Sequence, residues 1–137
     1  MITVKAILQE SSENYLETIL VLSRQRKDVR SVDIAHELDF TRPSVSIAMK
    51  KLRENGYIEV DADGYITLTA TGLVIAESMY ERHMIISNWL MSLGVDEKTA
   101  RDDACRIEHV ISEQSFLALK NLEIKRRNMH GKNFKPD

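Results

Sequence analysis

Cys105, Glu108 and His109 stand in the run Asp102-Asp103-Ala104-Cys105-Arg106-Ile107-Glu108-His109. At helical spacings of i, i+3 and i+4, a thiol, a carboxylate and an imidazole fall on one arc about 100° wide. Each is a metal-ligand type. The chain has one cysteine and four histidines, so one of each beside a carboxylate at ligand spacing points to a metal site rather than to an accident of composition. The same residues admit a second reading, with Cys105 packed as a small hydrophobe while Glu108 and His109 cap the helix or face water. Partner ligands from elsewhere in the chain separate the two.

The elements that position such a stripe can be read in order. Residues 13–27 place Tyr15, Leu16, Ile19, Leu20 and Leu22 on one face, begin with acid and end with base, and are expected to form the first helix. Ser31 is the expected cap of a short helix that turns Val32, Ile34, Ala35 and Leu38 inward. After a break at Asp39-Phe40-Thr41, Pro43 suits a first helical turn, and Val45, Ala48, Met49 and Leu52 form the buried stripe of a helix ending at Asn55-Gly56. The β-type runs 57–60 and 65–68 follow, joined by Asp61-Ala62-Asp63-Gly64, whose Asp-Gly pair signals a hairpin. This order is a winged helix-turn-helix.

The helix after Pro43 has the chemistry of a major-groove reader. Thr41, Arg42, Pro43, Ser44 and Ser46 lie toward its N-terminal end, where bases are approached, and Lys50, Lys51 and Arg53 lie further along, where phosphates are met. Only Glu54 opposes these cations between residues 42 and 54. Any one charge on a helix face is most simply a solvated group, but their clustering just before a wing points to double-stranded DNA.

A long helix is expected from Thr69 to about Leu93, ending at Gly94, with Met79, Ile85, Ile86, Trp89 and Leu90 buried. Asp96 can cap the helix that carries Cys105, and Ser112 the next. In that last helix Phe116, Leu117, Leu119, Leu122 and Ile124 exceed what one core needs, so residues 96–125 read as a dimerisation surface. Residues 126–137 lack periodicity and are expected to be a mobile tail. The fold class is thus mostly α: a winged helix-turn-helix with a β-hairpin wing at 1–70, then a helical metal-binding and dimerisation domain at 71–137.

Composition narrows the function classes. With 137 residues, 43% hydrophobic and 29% charged, the chain has the balance of an ordinary globular protein. A net charge of −2 requires any DNA-binding surface to be a local patch. No signal-peptide pattern or apolar run of membrane-spanning length is present, and a lone cysteine suits a reducing compartment, so a cytoplasmic location without membrane contact is expected. The sequence holds no His-Glu-x-x-His or other catalytic signature, so neither an enzyme nor a small-molecule substrate is expected. The remaining alternative is a metal-independent winged-helix regulator with a redox-responsive Cys105.

Further polar pairs complete a pattern. Asn14 and Glu17 share a face of the first helix at i, i+3, and His83 lies in the long helix. Together with Asn14-Tyr15-Leu16-Glu17-Thr18-Ile19, Arg42-Pro43-Ser44-Val45-Ser46, Leu68-Thr69-Ala70-Thr71-Gly72, Arg82-His83 and Ala104-Cys105-Arg106-Ile107-Glu108-His109-Val110, the chain resembles the iron-dependent repressor family, also called the diphtheria toxin repressor family. The manganese transport regulators are its shorter branch. The matching strings run in the family's order through nearly the whole chain.

The resemblance implies a homodimeric, metal-activated repressor in which metal joins the first helix to the dimerisation helices and fixes the spacing of two reading heads. It implies Asn14, Glu17, His83, Cys105, Glu108 and His109 as ligands, with Glu17 and Glu108 as natural bridges should two ions bind per subunit rather than one. The chain departs from both branches at Asn14, where iron sensors have Met and manganese sensors Asp. Ser87 and Arg101 stand where the iron branch has further ligands, and Arg101 cannot ligate. The SH3-like third domain of the long members has no counterpart in these residues. A thiolate favours Fe(II), whereas Glu17 and the amide of Asn14 favour a harder ion, so the expected corepressor is Fe(II), with Mn(II) close behind.

Overall fold

The computed structural model describes residues 4–26 and 28–130, with side chains described within 10–129. The chain divides into two compact units, Met1–Tyr80 and Glu81–Asp137. The first contains α1 (Val4–Gln25), α2 (Ser31–Leu38), α3 (Arg42–Glu54), β1 (Ile58–Val60), β2 (Ile66–Leu68) and the start of α4 (Ala70–Ser92). The second contains the rest of α4, α5 (Glu97–Val110) and α6 (Glu113–His130).

In the first unit, Leu16, Ile19, Leu20 and Leu22 of α1 pack with Ile34 and Ala35 of α2, Val45, Met49 and Leu52 of α3, and Ile58 and Ile66 of the hairpin. The first helix begins at Val4 rather than near Glu13, because the acidic residue that resembles a start signal sits inside a longer run of good helix formers. Ser31 is not the cap of α2. Arg30 holds that position, and its backbone N–H donates to the Asp33 carboxylate at 2.8 Å. Val32 is 40% exposed rather than inward, because two residues of helix rotate it about 200° from buried Ile34.

The turn from α2 to α3 runs through Asp39, a non-glycine residue at φ 55°. The N–H of Phe40 donates to the Ala35 carbonyl, closing the helix end. Thr41 caps α3, accepting from the Ser44 N–H at 3.4 Å, and Pro43 occupies the first turn as expected. The antiparallel hairpin pairs Ile58 with Leu68, Glu59 with Thr67 and Val60 with Ile66. Its loop is organised by Asp61, whose carboxylate accepts from the Asp63 and Tyr65 N–H groups at 2.9 Å each.

Gly72 lets α4 enter this unit. A Cβ there would lie 2.0 Å from the Tyr57 carbonyl oxygen, which accepts from the Thr69 N–H at 3.0 Å. In the second unit Asp96 caps α5 and Ser112 caps α6, accepting from the Thr99 N–H at 3.0 Å and the Ser115 N–H at 3.1 Å. The expected tail at 126–137 is corrected in its first part. Residues 126–130 continue α6, and Arg126 folds back on buried Glu123 through two hydrogen bonds of 3.0 and 2.9 Å. The rest of that stretch, 131–137, lies outside the described residues. Among the described residues no helix is long and apolar enough to cross a membrane.

Candidate metal centre

α5 turns a narrow stripe inward. Ala100, Ala104 and Glu108 follow one another at i, i+4 and i+8, and all three are fully buried. The two small side chains allow close packing, so the third position places a carboxylate where an apolar residue ordinarily sits. Cys105, one turn before Glu108, is exposed. From α4, His83 approaches the same point. Its Nδ1 lies 3.2 Å from Glu108 Oε2 and 3.7 Å from Cys105 Sγ. The other carboxylate oxygen, Oε1, lies 3.3 Å from His109 Nε2. Glu108 is therefore flanked by two imidazoles, with a thiol beside the first.

The donor set fits a divalent cation. A buried carboxylate is costly without a compensating positive group. Two donors each 2.0–2.3 Å from one ion at the tetrahedral angle stand about 3.3–3.8 Å apart, close to the spacings of His83 from Glu108 and Cys105. One ligand atom from each of His83, Cys105 and Glu108 falls within 4.8 Å of the others.

Arg82, next to His83, holds the end of α5. Its Nη1 donates to the backbone carbonyls of Glu108 at 3.2 Å and Ile111 at 2.9 Å, and its Nη2 pairs with Glu113 at 2.8 Å. The guanidinium also stands over the Phe116 ring, 5.2 Å from its centroid. In the sequence Arg82 is visible only as part of a family string, without a role. Its main partners are backbone oxygens, which leave no side-chain pattern to read.

The remaining sequence candidates fall as follows. Asn14 and Glu17 lie in α1 in the first unit, where Glu17 is buried and the Asn14 carbonyl accepts from Thr18 Oγ1 at 2.8 Å. Ser87 is buried and donates to the His83 carbonyl at 2.8 Å. Arg101 pairs at 2.8 Å with Glu97, one turn earlier on the exposed face of α5. Thr41, Arg42, Pro43, Ser44, Ser46, Lys50, Lys51 and Arg53 are all exposed on α3 or at its cap. So is Ile47, which is absent from the sequence candidates. Its one signal is an isoleucine out of step with the Val45, Met49 and Leu52 stripe.

A winged helix in one unit and a thiol–imidazole–carboxylate cluster in the other define a DNA-binding regulator with a metal-binding helical unit. Comparison with known proteins gives the family. Residues 7–65 match the iron dependent repressor N-terminal DNA binding domain, and residues 69–133 match the iron dependent repressor metal binding and dimerisation domain. The chain belongs to the iron-dependent repressor family.

The transcriptional regulator MntR of Escherichia coli O6:H1 is 37% identical over 112 residues, covering 82% of this chain and 72% of that protein. The diphtheria toxin repressor of Corynebacterium diphtheriae is 30% identical over 108 residues, covering 78% of this chain and 48% of that protein. Among solved structures, the manganese regulator SloR superposes with a TM-score of 0.73 at 28% identity, covering 81% of this chain and 52% of that one. The chain thus spans about half the length of the solved structure it matches.

Proposed function

We propose that this chain is a metal-dependent transcriptional repressor that binds double-stranded operator DNA as a homodimer when loaded with Fe(II) or Mn(II), and so controls metal-homeostasis genes in the cytoplasm. The observation that carries the reading is the buried Glu108 carboxylate between His83 and His109, with Cys105 beside His83. In this reading residues 1–70 bind DNA and residues 71–137 bind metal and dimerise. It has no catalytic step.

His83, Cys105, Glu108 and His109 hold the ion, joined by Asn14 and Glu17 from α1. When bound, the ion supplies positive charge that offsets the carboxylates and a fixed set of bonds between helices. Thr41, Arg42, Pro43, Ser44, Ser46, Lys50 and Lys51 meet the DNA, hydroxyls toward base edges and cations toward phosphates. Of the large apolar side chains that α6 leaves exposed, Leu117, Leu122, Ile124 and Met129, the first three supply the dimer surface.

The switch is an equilibrium argument. Metal tightens DNA binding only if the DNA-competent arrangement binds metal better than the alternative does. A coupling of about 1–3 kcal/mol gives roughly 5–150-fold tighter DNA binding. The test is anaerobic fluorescence anisotropy on a labelled duplex from upstream of the chain's own gene, with chelator, Fe(II) or Mn(II) at fixed salt. Tightening with either metal, lost in Glu108→Ala, supports the reading. Tight binding indifferent to chelator identifies a metal-independent regulator instead.

A further inference from the structure

The reading helix carries one large apolar side chain that its core does not use. Ile47 is 59% exposed, while Val45, Met49 and Leu52 on the same helix are buried. At 100° per residue, Ile47 points about 140–160° away from each of them, near the centre of the outward face. Around it stand Pro43 at i−4, Ser44 at i−3, Ser46 beside it, Lys50 at i+3 and Lys51 at i+4, all exposed.

The surroundings indicate what meets this side chain. Lys50 and Lys51, within about 60° of Ile47 around the helix, draw a polyanion to the face on which it stands, which suits a nucleic acid better than an apolar protein surface. Serine hydroxyls and lysine ammonium groups can exchange hydrogen bonds with base edges and phosphates, and isoleucine cannot. The apolar group that a base pair presents in the major groove is the C5-methyl of thymine. A β-branched side chain on a helix has one strongly preferred χ1 rotamer, so Ile47 is already ordered before contact.

We propose that Ile47 is a specificity-determining residue that selects thymine at one position of each operator half-site by packing against its C5-methyl group. The proposal rests on the reading of α3 as the DNA-reading helix. It makes the preference at that position one of shape and apolar contact, insensitive to the hydrogen-bonding edge of the base.

The test uses the full chain with Mn(II) or Fe(II) to select duplexes from a randomised library. Each thymine of a selected duplex is then replaced singly by uracil, which removes the methyl and keeps every hydrogen-bonding group. One uracil per half-site is expected to weaken binding about fourfold, the effect of one buried methyl-sized group. Ile47→Ala is expected to bind the thymine and uracil duplexes equally well, and Ile47→Val to retain most of the discrimination. Metal-stimulated binding that no uracil weakens overturns this proposal alone, as does an Ile47→Ala protein that keeps the wild-type thymine preference. A wild-type protein that selects no duplex with or without metal overturns the DNA-reading assignment as well.

Discussion

Arg82 donates to the Ile111 carbonyl at 2.9 Å, so the residue before one candidate ligand, His83, fastens the end of the helix that supplies Cys105, Glu108 and His109. A cation at a helix C-terminus satisfies carbonyls that the helix leaves open and complements its dipole. Here one planar guanidinium serves two carbonyls and the Glu113 carboxylate, a fork that an ammonium group cannot reproduce. Arg82→Met is expected to lose about 2 kcal/mol of stability, the cost of leaving partly buried acceptors without their charged donor. Arg82→Lys should recover only part of it. Urea unfolding of the three proteins provides the check, and equal midpoints would show that the fork is not a structural tie.

The thiol sets a preference among metals. Thiolate favours softer ions than Mn(II), and Cys105 Sγ lies 3.7 Å from His83 Nδ1. Cys105→Asp is expected to move selectivity toward Mn(II), with the ratio of Mn(II) to Fe(II) dissociation constants falling by about tenfold or more, the effect of exchanging a soft donor for a hard one. Anaerobic competition titrations measure that ratio directly. An unchanged ratio would remove the thiol from the ligand set.

Lys50 is exposed on the outward face of α3, one turn beyond Ser46 and beside Lys51. Lys50→Ala is expected to weaken DNA binding with and without metal and to lower the slope of log K against log salt by about 1, the signature of one lost phosphate contact. Anisotropy titrations at several salt concentrations read both quantities. An unaltered slope would place Lys50 away from the backbone.

Much of the first unit is legible in the sequence because its signals are local. Thr41 and Pro43 mark the start of α3, Asn55-Gly56 its end, and Asp61 to Gly64 the hairpin loop. The Cys105, Glu108 and His109 spacing is equally visible, but His83 comes from 22 residues before Cys105. Spacing alone does not encode that approach, and His83 enters only through the family resemblance. The end of α6 is hidden because Arg126, Arg127 and Asn128 carry no apolar period, although arginine has good helix propensity and Arg126 reaches Glu123 at i−3. At α2, hydroxyl chemistry favours Ser31 as the cap, whereas the Asp33 carboxylate takes the Arg30 N–H from inside the helix.

The cap of α5 has a pH signature. Hydrogen bonds from the Thr99 backbone N–H and hydroxyl hold the Asp96 carboxyl below its ordinary value of 3.8. With the folded pKa depressed, the contribution of this group is complete above the unfolded value and is lost as pH falls through the folded one. The difference in melting temperature between wild type and Asp96→Ala is therefore expected to hold from about pH 7 to about pH 5 and to shrink below the ordinary value. Thermal unfolding followed from about pH 7 down to about pH 3 tests it. A difference that does not change with pH would mean that the cap acts without its charge.

Gly72 and Gly64 separate two reasons for glycine. Gly64 has φ 84° and open space where a Cβ would stand, so Gly64→Ala meets only the backbone preference and is expected to cost about 1 kcal/mol. At Gly72 the obstacle is contact, since a Cβ would lie 2.0 Å from the Tyr57 carbonyl oxygen. Neither the hairpin strand that follows Tyr57 nor the first turn of α4 can move alone, because Thr69 bonds Tyr57 through its N–H and the Gly56 carbonyl through its hydroxyl. Gly72→Ala is accordingly expected to cost about 1–3 kcal/mol, as overpacking does. Urea unfolding of the two variants ranks them, and a Gly72→Ala protein as stable as wild type would mean that α4 enters the unit with more freedom than this contact allows.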